Sequence, residues 1–93
     1  MKFSKVDGSN KGSIRMYALS TCVWCKRTKK FFDDLGVEYE FIDVDQLEKS
    51  EKDECMAEVR RWNERGSFPT IVVNGETCIV GFKEEDIKKA IGV

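Results

Sequence analysis

The sequence predicts an α/β domain with a mixed sheet and the element order βαβαββα. Three observations carry this. A strand-helix-strand pattern between Ser13 and Val44 must close as a parallel crossover. The β-branched run Thr70 to Val73 leads into Asn74-Gly75, the strongest short hairpin signal, so the later strands must be antiparallel. Helical periodicity recurs three times, with apolar stripes that can cover a sheet.

Met1 to Gly12 is polar and carries Asp7-Gly8-Ser9-Asn10 and Lys11-Gly12, which read as turn or tail; a flexible tail over residues 1–12 and a domain over residues 13–93 are expected. Ser13 to Leu19 alternates Ile14, Met16 and Ala18 against Arg15, Tyr17 and Leu19, and its second half is apolar on both sides, as in a strand entering a sheet interior. From Cys22 to Leu35, Thr28, Phe31, Phe32 and Leu35 fall at i, i+3, i+4 and i+7, with Lys26, Arg27, Lys29 and Lys30 mostly off that stripe and Gly36 placed to stop the helix. Val37 to Val44 reads as the second strand. Asp45 to Ser50 is a polar connection in which Ser50 can cap a helix over Glu51 to Arg65, whose inward positions are Cys55, Val59 and Trp62. Thr70 to Val73 and Thr77 to Val80 form the hairpin, Gly81 breaks it, and Lys83 to Ile91 is a last helix with Ile87, Ala90 and Ile91 inward.

Composition narrows the function. Charged residues make up 35% of the 93-residue chain but nearly cancel, to a net charge of -1, which gives no support to nucleic-acid or membrane-surface binding. No apolar run approaches the roughly 18 to 20 residues of a membrane span, and the first twelve residues lack the apolar centre of a signal peptide. The expected compartment is therefore the cytoplasm, where a CxxC pair is redox-active or metal-binding rather than a structural disulfide. There is no histidine, so imidazole chemistry and His-ligated zinc are absent. The chemistry falls to sulfur, carboxylates, amines and the backbone.

Cys22-Val23-Trp24-Cys25 lies between the first strand and the first helix. Residues three apart on a helical turn have Cβ atoms about 5 to 6 Å apart, near disulfide range. A thiol at a helix start meets unpaired N–H groups and the positive end of the macrodipole, and such placements lower a thiol from about 8.5 to roughly 3.5 to 7.5. Lys26, Arg27, Lys29 and Lys30 add positive potential, though a solvated helix face would carry the same charges. Of the four cysteines, only these two form a close pair, whereas an all-cysteine zinc site brings two; Cys55 and Cys78 read as packing residues. A metal or iron–sulfur carrier using Cys22 and Cys25 across a dimer is the alternative. Pro69, the only proline, opens the third strand, where it cannot donate a ladder hydrogen bond.

Taken together these landmarks resemble the glutaredoxin family: Cys22-Val23-Trp24-Cys25 after a first strand, Phe68-Pro69-Thr70 before a hairpin, and Gly81-Phe82 before an acidic helix start. The resemblance spans roughly Ile14 to Val93. It implies a thioredoxin-like fold with a four-stranded mixed sheet and three helices, and a monomeric thiol-disulfide oxidoreductase acting on disulfide-containing proteins. It further implies that Cys22 is the nucleophile and Cys25 the resolving thiol, with Phe68 and Pro69 orienting the substrate sulfur. Gly81 and Phe82 would border the groove, and Trp24 would offer an exposed apolar contact. No bound cofactor is implied; electrons come from a low-molecular-weight thiol, glutathione or another, or from a thioredoxin reductase.

The chain departs from the family where glutathione would bind. Val-Trp replaces Pro-Tyr or Pro-Phe between the cysteines, and Leu19 stands where a lysine often pairs with a glutathione carboxylate. Phe82 replaces a second glycine, and Glu84 and Glu85 follow. Gly81-Phe82-Lys83 is similar to the glutaredoxin-like hydrogen donors of ribonucleotide reductase, which draw electrons from thioredoxin reductase.

Overall fold

A computed structural model describes residues 2–93. Met1, part of the expected tail, lies outside the described residues. The chain runs β1 (Ser4–Val6), β2 (Ile14–Ala18), α1 (Val23–Leu35), β3 (Tyr39–Asp43), a 3-10 turn (Val44–Gln46), α2 (Lys49–Trp62), β4 (Thr70–Val73), β5 (Thr77–Val80) and α3 (Glu84–Ile91). The strands form one sheet in the order β1-β3-β2-β4-β5. As the sequence requires, β2 and β3 are parallel and β4 and β5 antiparallel.

The expectation of four strands is corrected to five. The extra strand comes from the segment read as tail: β1 pairs antiparallel with β3, with Lys5 opposite Glu40. Phe3 and Val6, of opposite parity along a strand, reach opposite faces of the sheet. Phe3 meets the Tyr17 ring edge-on at 5.6 Å, and the Arg15 guanidinium lies 4.4 Å over Phe3. Beyond β1 the Ser9 amide donates to the Gly36 carbonyl and the Ser9 carbonyl accepts from Glu38. Gly8 is obligatory there, since a Cβ would come within 2.6 Å of the Val37 carbonyl carbon.

Two cores flank the sheet. On one face Phe32 and Cys25 of α1 and Ile87 and Ile91 of α3 close over Ile14, Met16, Ala18, Ile71 and Val73. On the other, Cys55 and Val59 of α2 pack with Tyr17, Ile42, Val44 and Val72. The alternation read in β2 thus supplies both cores from a single strand. The second helix starts earlier than expected, with Glu48 in extended backbone before it and no side-chain cap; Ser50 sits inside the first turn and does not cap. Gly36, at φ 66°, ends α1 in the left-handed conformation with its N–H donating to the Asp33 and Phe32 carbonyls. Among the described residues no buried side-chain nitrogen or oxygen lacks a partner, and no helix is long and apolar enough to cross a membrane.

Candidate functional site

Strand register alone gathers the sequence landmarks. Tyr17 pairs with Thr70, so Pro69 lies beside the end of β2; Thr70 pairs with Val80, so Gly81 lies beside Pro69. The Gly81 amide donates to the Pro69 carbonyl at 2.9 Å. Cys22, Phe68 and Phe82 all pack on the core under α1 and α3. Segments 47 and 59 residues downstream of Cys22 therefore meet it at one end of the sheet, because β2 runs toward that end while β4 starts from it.

Cys22 is the N-cap of α1 rather than its first residue. Its amide donates back to Leu19 at 3.1 Å, closing a turn over Ser20 and Thr21, and its carbonyl accepts from Lys26. The Cys22 sulfur accepts the Cys25 N–H at 3.1 Å, the bond an N-cap oxygen makes in other helices. It also stands at the positive end of the α1 dipole, with no acidic residue in the first turn. Cys22 is half-buried; Cys25 has no exposed surface. Burial, then the hydrogen bond to the Cys22 sulfur, pushes the Cys25 thiol up to about 12. The two sulfurs of one motif are thus unequal: one reaches solvent, and the other holds its proton.

The rim is aromatic. Trp24 is 53% exposed and Val23 58%, so both stand out as apolar surface next to Cys22. Trp24 lies 6.3 Å from Phe82, and Phe82 meets Phe31 edge-on at 5.5 Å. Arg27 lies 4.8 Å over the Trp24 ring. This Trp24-Phe82-Phe31 ladder joins α1 to the segment before α3. Its signal in the sequence is the i, i+7 spacing of Trp24 and Phe31 on one helical face.

The basic cluster divides. Lys29 pairs with Asp43 at 3.2 Å and covers Phe41, and Lys30 pairs with Asp34 at 3.1 Å. Lys26 and Arg27 remain on the exposed side of the first turn. Pro69 is buried and the Phe68–Pro69 bond is cis. Gly81 takes φ 89° with open space where a Cβ would stand, so its backbone carries no side chain there.

Two supports were invisible from the motifs. Asn63, just past α2, donates through Nδ2 to the Ser67 hydroxyl at 2.9 Å, and the Thr70 hydroxyl donates to the Ser67 carbonyl at 2.8 Å, which sets the loop carrying Phe68 and Pro69. Before the CxxC, Asp45 accepts the Ser20 amide at 2.8 Å and the Ser20 hydroxyl at 2.5 Å, and Gln46 Nε2 donates to the same hydroxyl at 3.1 Å. These bonds hold the Asp45 carboxyl below the usual carboxylate range. Cys55 is buried against α2's core and Cys78 is half-buried on β5; burial raises both thiols, Cys55 to about 11. Among the described residues no cluster of three or more Cys, Asp or Glu side chains could hold a metal ion within one chain.

The sequence model of the glutaredoxin family matches residues 14–78. An uncharacterized glutaredoxin-like 8.6 kDa protein in the rubredoxin operon of Clostridium pasteurianum is 32% identical over 78 residues, covering 84% of this chain and 96% of that protein. Among solved structures, the glutaredoxin of Methanosarcina mazei Go1 superposes with a TM-score of 0.91 at 48% identity, covering 100% of this chain and 90% of that one. Methanoredoxin of Methanosarcina acetivorans superposes with a TM-score of 0.89 at 52% identity, over 92% of this chain and 90% of the other.

Proposed function

This chain belongs to the glutaredoxin family, with a thioredoxin-like fold, and from that premise we propose that it is a dithiol-disulfide oxidoreductase reducing protein disulfides or mixed disulfides. The observation that carries the reading is the asymmetry of the pair: Cys22 half-exposed at the α1 N-cap, Cys25 buried three residues on with its proton held.

In the proposed cycle the Cys22 thiolate attacks one sulfur of a substrate disulfide. A Cys22-substrate disulfide forms and the other substrate sulfur leaves as thiolate. Cys25, giving up its proton as it reacts, then attacks the Cys22 sulfur and releases the second substrate thiolate. The substrate gains two electrons and two protons, one from Cys25 and one from solvent, and the protein is left with a Cys22-Cys25 disulfide, which an external thiol or reductase must reduce. Pro69 and the Phe68 backbone would seat the substrate beside Cys22. The bare backbone at Gly81 and the Trp24-Phe82 rim would flank it. The first turn of α3 carries Glu84, Glu85 and Asp86, and acidic groups there would repel the carboxylates of a glutathione bound beside Gly81. This favours another small thiol or a thioredoxin reductase as electron source; the Gly81-Phe82-Lys83 resemblance is what supports disulfide proteins such as ribonucleotide reductase as acceptors. A reducing cytoplasm and a monomeric chain suit this cycle.

A coupled assay tests the reading. Oxidised protein is offered glutathione with its reductase, then thioredoxin reductase, with a protein disulfide as acceptor. Turnover that depends on Cys22 supports the reading. Wild-type turnover by Cys22→Ser, or stoichiometric iron or zinc in anaerobically purified protein that is lost with Cys22→Ser, overturns it in favour of a carrier.

A further inference from the structure

We propose that Asp45 is a positioning residue for Cys22, holding the turn that delivers the sulfur to its N-cap place. The proposal rests on the reading of Cys22 as the reacting sulfur. Between the last residue of β2, Ala18, and Cys22 the chain has only three residues, and the single backbone bond that closes them is Cys22 N–H to the Leu19 carbonyl. Ser20 and Thr21 are the free corner of that turn. Asp45 fastens the corner with two bonds to one residue, to the Ser20 amide and to the Ser20 hydroxyl, and Gln46 adds a third to the hydroxyl.

The anchor is itself firm. Asp45 belongs to the 3-10 turn that directly continues β3, and Val44 beside it is buried in the α2-side core. Parallel pairing of Ala18 with Asp43 brings the two chain segments out of the sheet in step, so that Ser20 and Asp45, each two residues on, face one another. A carboxylate accepting both an amide and a hydroxyl fixes orientation as well as distance, and its charge strengthens both bonds. Asp45 touches no reacting atom in this scheme; it acts through Ser20. A loosened corner lets the Cys22 sulfur leave the Cys25 N–H, and small misplacements of a reacting group cost rate steeply.

The test compares two neutral replacements. Asp45→Asn keeps an oxygen for the Ser20 amide and removes the charge; Asp45→Ala removes both. In fully reduced protein, the second-order rate of Cys22 alkylation by iodoacetamide is followed by peptide mass, alongside thermal unfolding of each variant. Asp45→Ala is expected to react about tenfold more slowly than Asp45→Asn, with Asp45→Asn within about threefold of wild type and the same ratio in disulfide turnover. Equal rates for the two variants overturn the proposal, since charge or general stability would then explain any effect. Should Asp45→Ala not fold, Ser20→Ala carries the test: a two- to threefold slowing, about what one hydrogen bond contributes, supports it and an unchanged rate overturns it. Alkylation needs no disulfide substrate. A wild-type chain that reduces no disulfide would therefore sink the proposed function and leave this comparison standing.

Discussion

Cys25 and Cys55 occupy opposite faces of the same sheet. Each is on the inward side of a helix, each has no exposed surface, and each thiol is raised by burial, to about 12 and about 11. By packing and by proton affinity the two are near twins. What separates them is one neighbour. Cys25 follows a half-exposed sulfur by three residues and gives it a backbone hydrogen bond, whereas Cys55 stands alone in the middle of α2 among apolar side chains. A buried thiol is inert packing until a second sulfur at a helix end gives it something to attack. On the proposed reading, redox function would belong to the α1 face of the sheet and not to sulfur content.

The sharpest way to break this comparison is at the exposed partner. Cys22→Ser is expected to lower disulfide turnover by about a thousandfold or more, since the proposed cycle gives the first attack to Cys22 alone. Cys25→Ser should instead accumulate a mixed disulfide at Cys22, seen as an added mass on non-reducing analysis. If Cys55→Ser traps an adduct in the same way, the two faces are not distinct.

A second effect concerns packing around the site. Phe32→Ala empties the core directly beneath α1, where Phe32 is fully buried and lies 4.9 Å from the Tyr39 ring. It should cost about 3 to 5 kcal/mol of unfolding free energy by urea titration.

A third measurement treats both faces alike. Cys25, Cys55 and Tyr39, the last raised to about 12, are all held neutral by the fold above their ordinary values of about 8.5 and 10. A group whose folded pKa is raised keeps its contribution below the unfolded value and loses it as pH climbs toward the folded one. The urea midpoint should therefore be flat across neutral pH and fall between about pH 9 and pH 11. A midpoint that rises over that interval would show that the two thiols are not protected by burial.

The smallest effect is expected from Cys55→Ala, about 1 kcal/mol of stability with turnover unchanged, because it removes one heavy atom from the α2-side core. A tenfold fall in turnover would mean that α2's face participates in the chemistry.

Much of this was legible in the chain because the signals are local. Cys22 and Cys25, Phe68-Pro69 and Gly81-Phe82 each announce themselves within a few residues, and the alternation along β2 announces two cores. The missed features depend on pairing partners far away. In and just before β1 only Phe3 and Val6 are apolar, too few to outweigh the glycines and charges that follow, and the strand forms because β3 offers it an edge. Asp45 looked like polar linker because its meaning depends on the register of β2 against β3. The start of α2 was displaced because Ser50, a good capping residue by type, lies inside the first turn while Glu48 takes the extended backbone.

The added strand also bears on how these molecules behave in a crowd. Without β1 the sheet would end at β3, five residues bearing Tyr39, Phe41 and Ile42, with a row of open amides and carbonyls on offer. With β1 in place the boundary is three residues long, and Lys5 on it is exposed. Short, charged borders discourage one sheet from templating onto another. Ser4 to Val6 thus give the sheet a short, charged border at the side opposite the β4–β5 hairpin.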